Sequence, residues 1–325
     1  MERFWIVDDE WPDYDAEVDF LKDTHKGCGI MTSKSLNDED IEMFGAEADA
    51  LICQINVRVD RELLSRLKNC KVVSVYGAGY NNVDAAAARE LGISVTNVPG
   101  YCAEEVADYV IAAIYHRNLN LGRYAENVSN GLWGARAISH KPRRISRLTL
   151  FIAGFGSIGR KLAEKASGLG MNVMYYDSAR TPAMDETAKK IGAKSVSLEE
   201  GLSSADVVSS HLALTDETRG FFSCKMFAMM KREALFVNVS RGGIVDEPAL
   251  IDAVKRGVIA SAALDVTANE PPGADDPILH TENICVTPHI SYLSEDSMRE
   301  LKFRAAKNAS DVTMGRDIPE IVNKR

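Results

Sequence analysis

The sequence predicts an α/β protein with parallel sheets, divided into two domains. Three observations carry that prediction. Short apolar runs alternate with helical periodicity along most of the chain, as repeated β-α units require. At 325 residues the chain exceeds what one compact core usually holds. The third is the run Leu150-Phe151-Ile152-Ala153-Gly154-Phe155-Gly156-Ser157-Ile158-Gly159, in which an apolar strand breaks into glycines at the first, third and sixth places of GFGSIG. Helical periodicity follows at once in Arg160-Lys161-Leu162-Ala163-Glu164-Lys165.

Each glycine of that turn has a mechanical job. Gly154 makes the tight turn, Gly156 lets backbone approach a pyrophosphate, and Gly159 lets the helix pack close to the strand. Amides at the helix start, those of Ser157 and Ile158 among them, would face the phosphates. A further strand, Asn172 to Tyr176, ends in Asp177, 18 residues past Gly159. Its carboxylate is placed to accept hydrogen bonds from an adenosine ribose. The stretch therefore predicts dinucleotide binding.

Composition narrows the class. Hydrophobic content of 46% and charged content of 26% describe an ordinary globular protein. A formal charge of −9 argues against a nucleic-acid partner, which needs a basic footprint. No apolar run approaches the roughly 20 residues of a membrane span, and the N-terminus MERFWIVDDEW reads as a strand and not as a signal peptide. Six cysteines without CxxC pairing are expected to be reduced thiols of a cytoplasmic protein, with no metal site.

In chain order, Phe4 to Val7 is a strand ending in Asp8-Asp9. Ala50 to Gln54, Val72 to Tyr76 and Ser94 to Val98 are further strands, separated by helices at Arg61 to Lys68 and Asp84 to Leu91. Functional residues of parallel sheets gather at carboxyl strand ends. Gln54 stands at one such end. At another, Tyr76-Gly77-Ala78-Gly79-Tyr80 holds backbone amides free in a nest suited to a carboxylate or phosphate; the plainer reading is that its glycines only satisfy a turn. Asn97-Val98-Pro99-Gly100 breaks the pattern. Glu104 to Leu121 then reads as one long helix with Val106, Tyr109, Val110, Ala113 and Ile114 on a stripe. Asn130 to Arg147 is an irregular connector. After Asp177, strands reach His211, Val239-Ser240-Arg241, Asp265 and Pro288-His289, and a last helix runs from Ser294 to Met314 into a polar tail.

Three charged or titratable residues of the dinucleotide-binding part now stand at strand ends or just past them: Arg241, Glu270 and His289. Hydride transfer to a 2-oxo acid needs these types. Arginine grips a carboxylate with a planar fork and polarises the neighbouring carbonyl. Histidine donates a proton to the forming alkoxide near neutral pH, and a carboxylate beside it stabilises the imidazolium. Singly, each has a bland alternative: a surface ion pair, a solvated loop, a structural imidazole. His211 ends a strand near the expected cofactor. His25, His116, His140 and His280 suggest no role.

These stretches together resemble the D-isomer-specific 2-hydroxyacid dehydrogenases over nearly the whole chain. The resemblance is carried by YGAGYNNVD at 76–84, TNVPGYCAEEVADY at 96–109, GFGSIG at 154–159, MMKREALFVNVSRGGIVDEPAL at 229–250, ALDVTANEPP at 263–272 and TPHIS at 287–291. It implies two Rossmann-like domains with the active site in the cleft between them. The substrate-binding domain would be discontinuous, 1–99 with 291–325, and the NAD-binding domain would span 100–290. Arg241 would bind the substrate carboxylate and carbonyl, with His289 as acid/base and Glu270 as its partner. Amides of Gly77, Ala78 and Gly79 would hold the carboxylate, and Gln54 and Tyr76 would line the substrate wall. The implied cofactor is NAD, held by the glycine turn, Asp177, His211, Val239 and Asp265, with Val106 near the nicotinamide and Asp265 on its carboxamide. Arg180, near Asp177, tempers the preference over NADP.

Departures are few. Ala213 replaces the proline usual in SHLALT, and Glu270 stands where formate dehydrogenases carry glutamine. The expected partners are a small 2-oxo or 2-hydroxy acid and a second copy of the chain, with the 104–121 stripe as an interface element. Two other branches are similar: NADH-sensing corepressors of the C-terminal-binding-protein type, and phosphoglycerate dehydrogenases, for which Arg58 or Lys141 would have to meet a phosphate.

Overall fold

The computed structural model describes residues 1–138 and 141–324, so His140 lies outside the described residues. The chain divides into two compact units, Met1–Tyr101 with the segment from Ser294 onward, and Cys102–Leu293.

In the first unit β1 (Arg3–Val7), β2 (Gly29–Ser33), β3 (Ala50–Gln54), β4 (Val72–Tyr76) and β5 (Ser94–Thr96) form a parallel sheet in the order β2-β1-β3-β4-β5. The helices are α1 (Asp15–Thr24), α2 (Asp38–Met43), α3 (Arg61–Arg66), α4 (Ala85–Glu90) and the returning α12 (Glu295–Thr313). Strand alternation places Trp5, Val7, Leu51, Cys53, Val73 and Val75 in one cluster with Leu63, Leu64, Ala87 and Ala88 of α3 and α4. On the opposite face Ser74 donates to the carbonyl of Ala305 in α12 at 2.8 Å, which binds the returning helix to the sheet. The C-terminal tail adds an antiparallel bridge between Thr96 and Ile321.

The second unit holds a seven-stranded parallel sheet: β6 (Thr149–Ala153), β7 (Asn172–Tyr176), β8 (Ala193–Ser195), β9 (Val207–Ser210), β10 (Leu235–Asn238), β11 (Ser261–Leu264) and β12 (Ile284–Val286). Its helices are α5 (Ala103–Leu119), α6 (Leu121–Ser129), α7 (Ser157–Gly168), α8 (Pro182–Ile191), α9 (Leu198–Ser204), α10 (Cys224–Met229) and α11 (Glu247–Lys255). Every residue of β9, β10 and β11 is buried, as expected of strands covered on both faces. The order is β12-β11-β10-β9-β6-β7-β8. The chain thus runs outward one way from β6 to β8 and the other way from β9 to β12, and the crevice of a doubly wound sheet lies where it reverses, between β6 and β9.

Two sequence expectations need correction. Glu104 to Leu121 is not one helix, because Asn120 adopts a left-handed conformation (φ 48°) and separates α5 from α6. Nor is the α5 stripe available as an interface. Val106, Val110 and Ile114 are buried in the chain itself, together with Ala107. The short edge strands β2 and β8 escape the sequence pattern because neither presents a continuous buried run. No helix among the described residues is long and apolar enough to cross a membrane.

Candidate active site

The glycine turn sits at the carboxyl end of β6, beside the point where the sheet reverses. Gly154 has φ +99°, and a Cβ there would lie 2.6 Å from the carbonyl oxygen of His211, which directly follows β9. The turn and the β9 end are therefore in backbone contact, which only glycine permits. A Cβ on Gly156 would meet open space. Gly156 is the N-cap of α7, and no side chain caps this helix, so the first-turn amides of Ser157 and Ile158 are left for an anion. The Asp177 carboxylate accepts from the amides of Phe155 (2.7 Å) and Ala179 (2.8 Å). These bonds fix it at the end of β7 with lone pairs left over for ribose hydroxyls. Arg180 is engaged with both carboxylate oxygens of Asp185, at 2.7 and 3.0 Å, so it is not a spare cation for a 2′-phosphate. The residues present fit NAD.

The strand ends beyond β9 carry the titratable groups. His289 Nδ1 and Glu270 Oε2 are 2.7 Å apart. The second oxygen, Glu270 Oε1, accepts from the Thr267 amide at 3.0 Å. Burial raises the Glu270 carboxyl, but the hydrogen bond and charge of His289, the Thr267 amide and the charge of Arg241 outweigh it. The group stays below the ordinary glutamate value and is a carboxylate at neutral pH. Arg241 is thus close enough for its charge to act on the residue that holds His289. One arm of its guanidinium donates to the Ser240 carbonyl at 2.7 Å, and its own carbonyl accepts from Asn238 at 3.0 Å.

A residue that the sequence gave no reason to single out makes that meeting possible. A Cβ on Gly242 would lie 2.0 Å from the Thr267 carbonyl carbon. The turn bearing Arg241 therefore packs its bare backbone against the loop leading to Glu270.

His289 itself is a non-glycine residue at φ +53°, a conformation that persists only when its surroundings impose it. Asp265 does so. Its carbonyl accepts the His289 amide at 2.9 Å, and its carboxylate accepts from Ile290 (2.9 Å), Ser291 (2.8 Å) and the Thr287 hydroxyl (2.7 Å). The residue is 1% exposed. The Asp265 carboxylate thus holds the loop that carries His289, a part that the expected contact with the nicotinamide carboxamide did not include.

Burial pushes the His211 imidazole down to about 3, so it is neutral; its Nε2 meets Ser209 Oγ at 2.8 Å, and its enclosed Nδ1 has no hydrogen-bond partner among the described residues. Val106 and Val239 are buried within the second unit, leaving them only an apolar or backbone contribution.

The first unit has its own polar strand ends. Two predicted wall residues turn inward. The Tyr76 hydroxyl donates to Glu17 at 2.8 Å, and its ring meets Trp11 edge-on. Gln54 is 2% exposed, accepts from the Ile55 amide and donates to Glu10. Gly77 also differs from expectation, because its amide is spent on the Val75 carbonyl at 2.9 Å. Among the described residues, that leaves the amides of Ala78 and Gly79 as the donors of the nest without a partner. Among the histidines without a suggested role, His25 bonds Ser310 and His280 bonds the Ala274 carbonyl.

With this geometry in view, comparison with known proteins is decisive. Residues 111–291 match the family of the D-isomer specific 2-hydroxyacid dehydrogenase, NAD binding domain. The chain is 35% identical over 286 residues to a glyoxylate reductase of Korarchaeum cryptofilum, covering 86% of this chain and 83% of that one. The chain belongs to the D-isomer-specific 2-hydroxyacid dehydrogenase family. A hydroxypyruvate reductase of Blautia hydrogenotrophica is 32% identical over 91% of this chain and 92% of its own. Among solved structures, a glyoxylate reductase from Paecilomyes thermophila superposes with a TM-score of 0.85 at 27% identity, covering 100% and 99% of the two chains. The protein is accordingly an NAD-dependent oxidoreductase that interconverts 2-oxo and 2-hydroxy acids.

Proposed function

We propose that this dehydrogenase reduces small 2-oxo acids, of the size of glyoxylate or hydroxypyruvate, through Arg241, His289 and Glu270. One observation carries the reading: a histidine held at 2.7 Å by a carboxylate that also feels the Arg241 guanidinium. Arg241 would take the substrate carboxylate through the free arm of its fork and draw electron density from the carbonyl. His289 Nε2 would give its proton to the oxygen that becomes the hydroxyl, while Glu270 stabilises the imidazolium through Nδ1. Bound NADH would supply the hydride, held by the amides of Ser157 and Ile158, by Asp177, and alongside Gly154, Gly156, Gly159, His211, Val239 and Val106. In the first unit the Ala78 and Gly79 amides form the anion nest proposed for a carboxylate.

The test is loss of NADH absorbance with glyoxylate, hydroxypyruvate, pyruvate, phenylpyruvate and branched 2-oxo acids. Turnover of the small members supports the assignment; silence across the panel, with NADH demonstrably bound, removes it. The phosphoglycerate and corepressor readings are less favoured: relatives named D-3-phosphoglycerate dehydrogenase match 87% and 96% of this chain but only 45% and 58% of their own length. Arg58 already lies 3.6 Å from Asp60, and the reductases above match over more than four-fifths of each chain.

The protein is also proposed to be a cytoplasmic homodimer. Helix α6 has no buried residue, and Leu121, Val128, Leu132, Trp133 and Ile138 in and after it are exposed, apolar side chains that a second copy of the chain would cover. Light scattering on the eluted protein would show twice the mass of one chain, and a monomer at every concentration would contradict it.

A further inference from the structure

His289 is carried just past a short edge strand of its sheet. Strand β12 is three residues long and lies at the sheet edge, with β11 as its one hydrogen-bonded neighbour. Just beyond it the chain must hold a left-handed histidine, a conformation disfavoured in a non-glycine residue. Asp265 supplies one side of the support. The other side comes from α5. The Tyr109 hydroxyl lies 2.7 Å from Thr287 Oγ1, and Thr287 Oγ1 donates to Asp265 Oδ1 at 2.7 Å.

The direction of this chain of bonds follows from counting hydrogens. Thr287 has a single hydroxyl hydrogen, and it points to the Asp265 carboxylate, which also accepts two amides. Tyr109 must therefore be the donor to Thr287. Burial raises the Tyr109 phenol to about 12, so its proton is in place throughout the working range. Bonds aligned in this way polarise and strengthen one another. Helix α5 is a firm anchor for the chain. Its apolar side is buried, and eight residues further on Arg117 Nε donates to Ser261 Oγ at the start of β11, at 2.9 Å.

We propose that Tyr109 is a positioning residue for His289, acting through Thr287 and Asp265. The proposal rests on the reading of His289 as the proton donor. Tyr109 touches neither of the reacting partners in this scheme; it fixes the loop from which the imidazole projects, and so sets how often Nε2 is correctly aimed.

The experiment uses the full chain with NADH and glyoxylate, or whichever 2-oxo acid of the panel turns over best. Tyr109→Phe removes one oxygen and preserves the packing. It should lower kcat about three- to tenfold, the effect of one net hydrogen bond, leave the KM for NADH within about twofold, and shift the pH profile of kcat. Thr287→Val should lower kcat at least as far, and Thr287→Ser, which keeps the hydroxyl, should recover most of that loss. In the double variant Y109F/T287V the losses should not add, because both changes break one chain.

A Tyr109→Phe enzyme with reduced thermal stability but unaltered kcat and pH profile would overturn the proposal, as would fully additive losses. His289→Ala separates the two ideas. If that variant is inactive while Tyr109→Phe is normal, only the positioning role fails. If His289→Ala retains full turnover, the proton-donor reading fails first.

Discussion

Both units end their strands in glycine-bearing turns, yet they present different chemistry there. In the first unit the polar side chains at the strand ends are used on one another: Tyr76 on Glu17, Gln54 on Ile55 and Glu10, Tyr14 on Asp8. What it leaves open is backbone, the amides of Ala78 and Gly79. In the second unit, around Arg241 and His289, backbone amides are taken by Asp265 and the Arg241 turn packs closely on Thr267. What remains presented are side chains, Arg241 and the His289–Glu270 pair, the latter with 23% and 38% of its side chains accessible. Amides can recognise an anion but cannot exchange a proton, so under the proposed function the acid/base work falls to the second unit, which also carries Arg241.

The largest expected effect probes that contrast directly. His289→Ala should lower kcat by about 10²- to 10⁴-fold, the span of general acid catalysis, with NADH affinity nearly unchanged by fluorescence titration. A comparable loss in Tyr76→Phe would break the contrast, since that hydroxyl is assigned only to Glu17. Next comes Arg241→Lys. The loss of fork geometry should raise the KM for the 2-oxo acid about 10- to 100-fold, the cost of a charged hydrogen bond or two; an unchanged KM would take the carboxylate away from Arg241.

Stability should respond to pH with opposite sign in the two units. Burial raises the Glu17 carboxyl, with the Tyr76 hydrogen bond opposing. The folded chain therefore keeps a proton that the unfolded chain releases above the ordinary glutamate value, and stability falls as pH rises through that window. His211 runs the other way. With a folded value of about 3 against 6.5 unfolded, the unfolded chain binds the extra proton between those limits. Stability therefore rises with pH across them and is complete above 6.5. Glu17→Gln should flatten the first slope and His211→Asn the second, measured as melting temperature against pH. Either variant steepening its slope would show that the burial is misassigned.

The difference between the units also explains what could be read from sequence. The cofactor turn was legible because strand, glycines and helix are adjacent in the chain and each step is local. Arg241, Glu270 and His289 were legible as residue types at strand ends, though their meeting depends on contacts between distant segments. Gly242 gave no signal, since its need for a bare Cα arises only where Thr267 approaches from 25 residues away. Tyr109 was visible as one member of an apolar stripe, and nothing in the periodicity distinguishes its hydroxyl. Tyr76 and Gln54 are placed on the substrate wall by family resemblance; which way a strand-end side chain turns is settled by tertiary partners such as Glu17 and Glu10.

The pH profile of kcat for 2-oxo acid reduction, in the native enzyme and in Glu270→Gln, tests the proposed acid/base pair most directly. Removing the carboxylate takes away the charge that stabilises the imidazolium, so the alkaline fall in rate should begin at lower pH in the variant. A one-unit displacement would correspond to about 1.4 kcal/mol. Superimposable profiles would mean that the His289–Glu270 contact does not govern the proton that reaches the substrate.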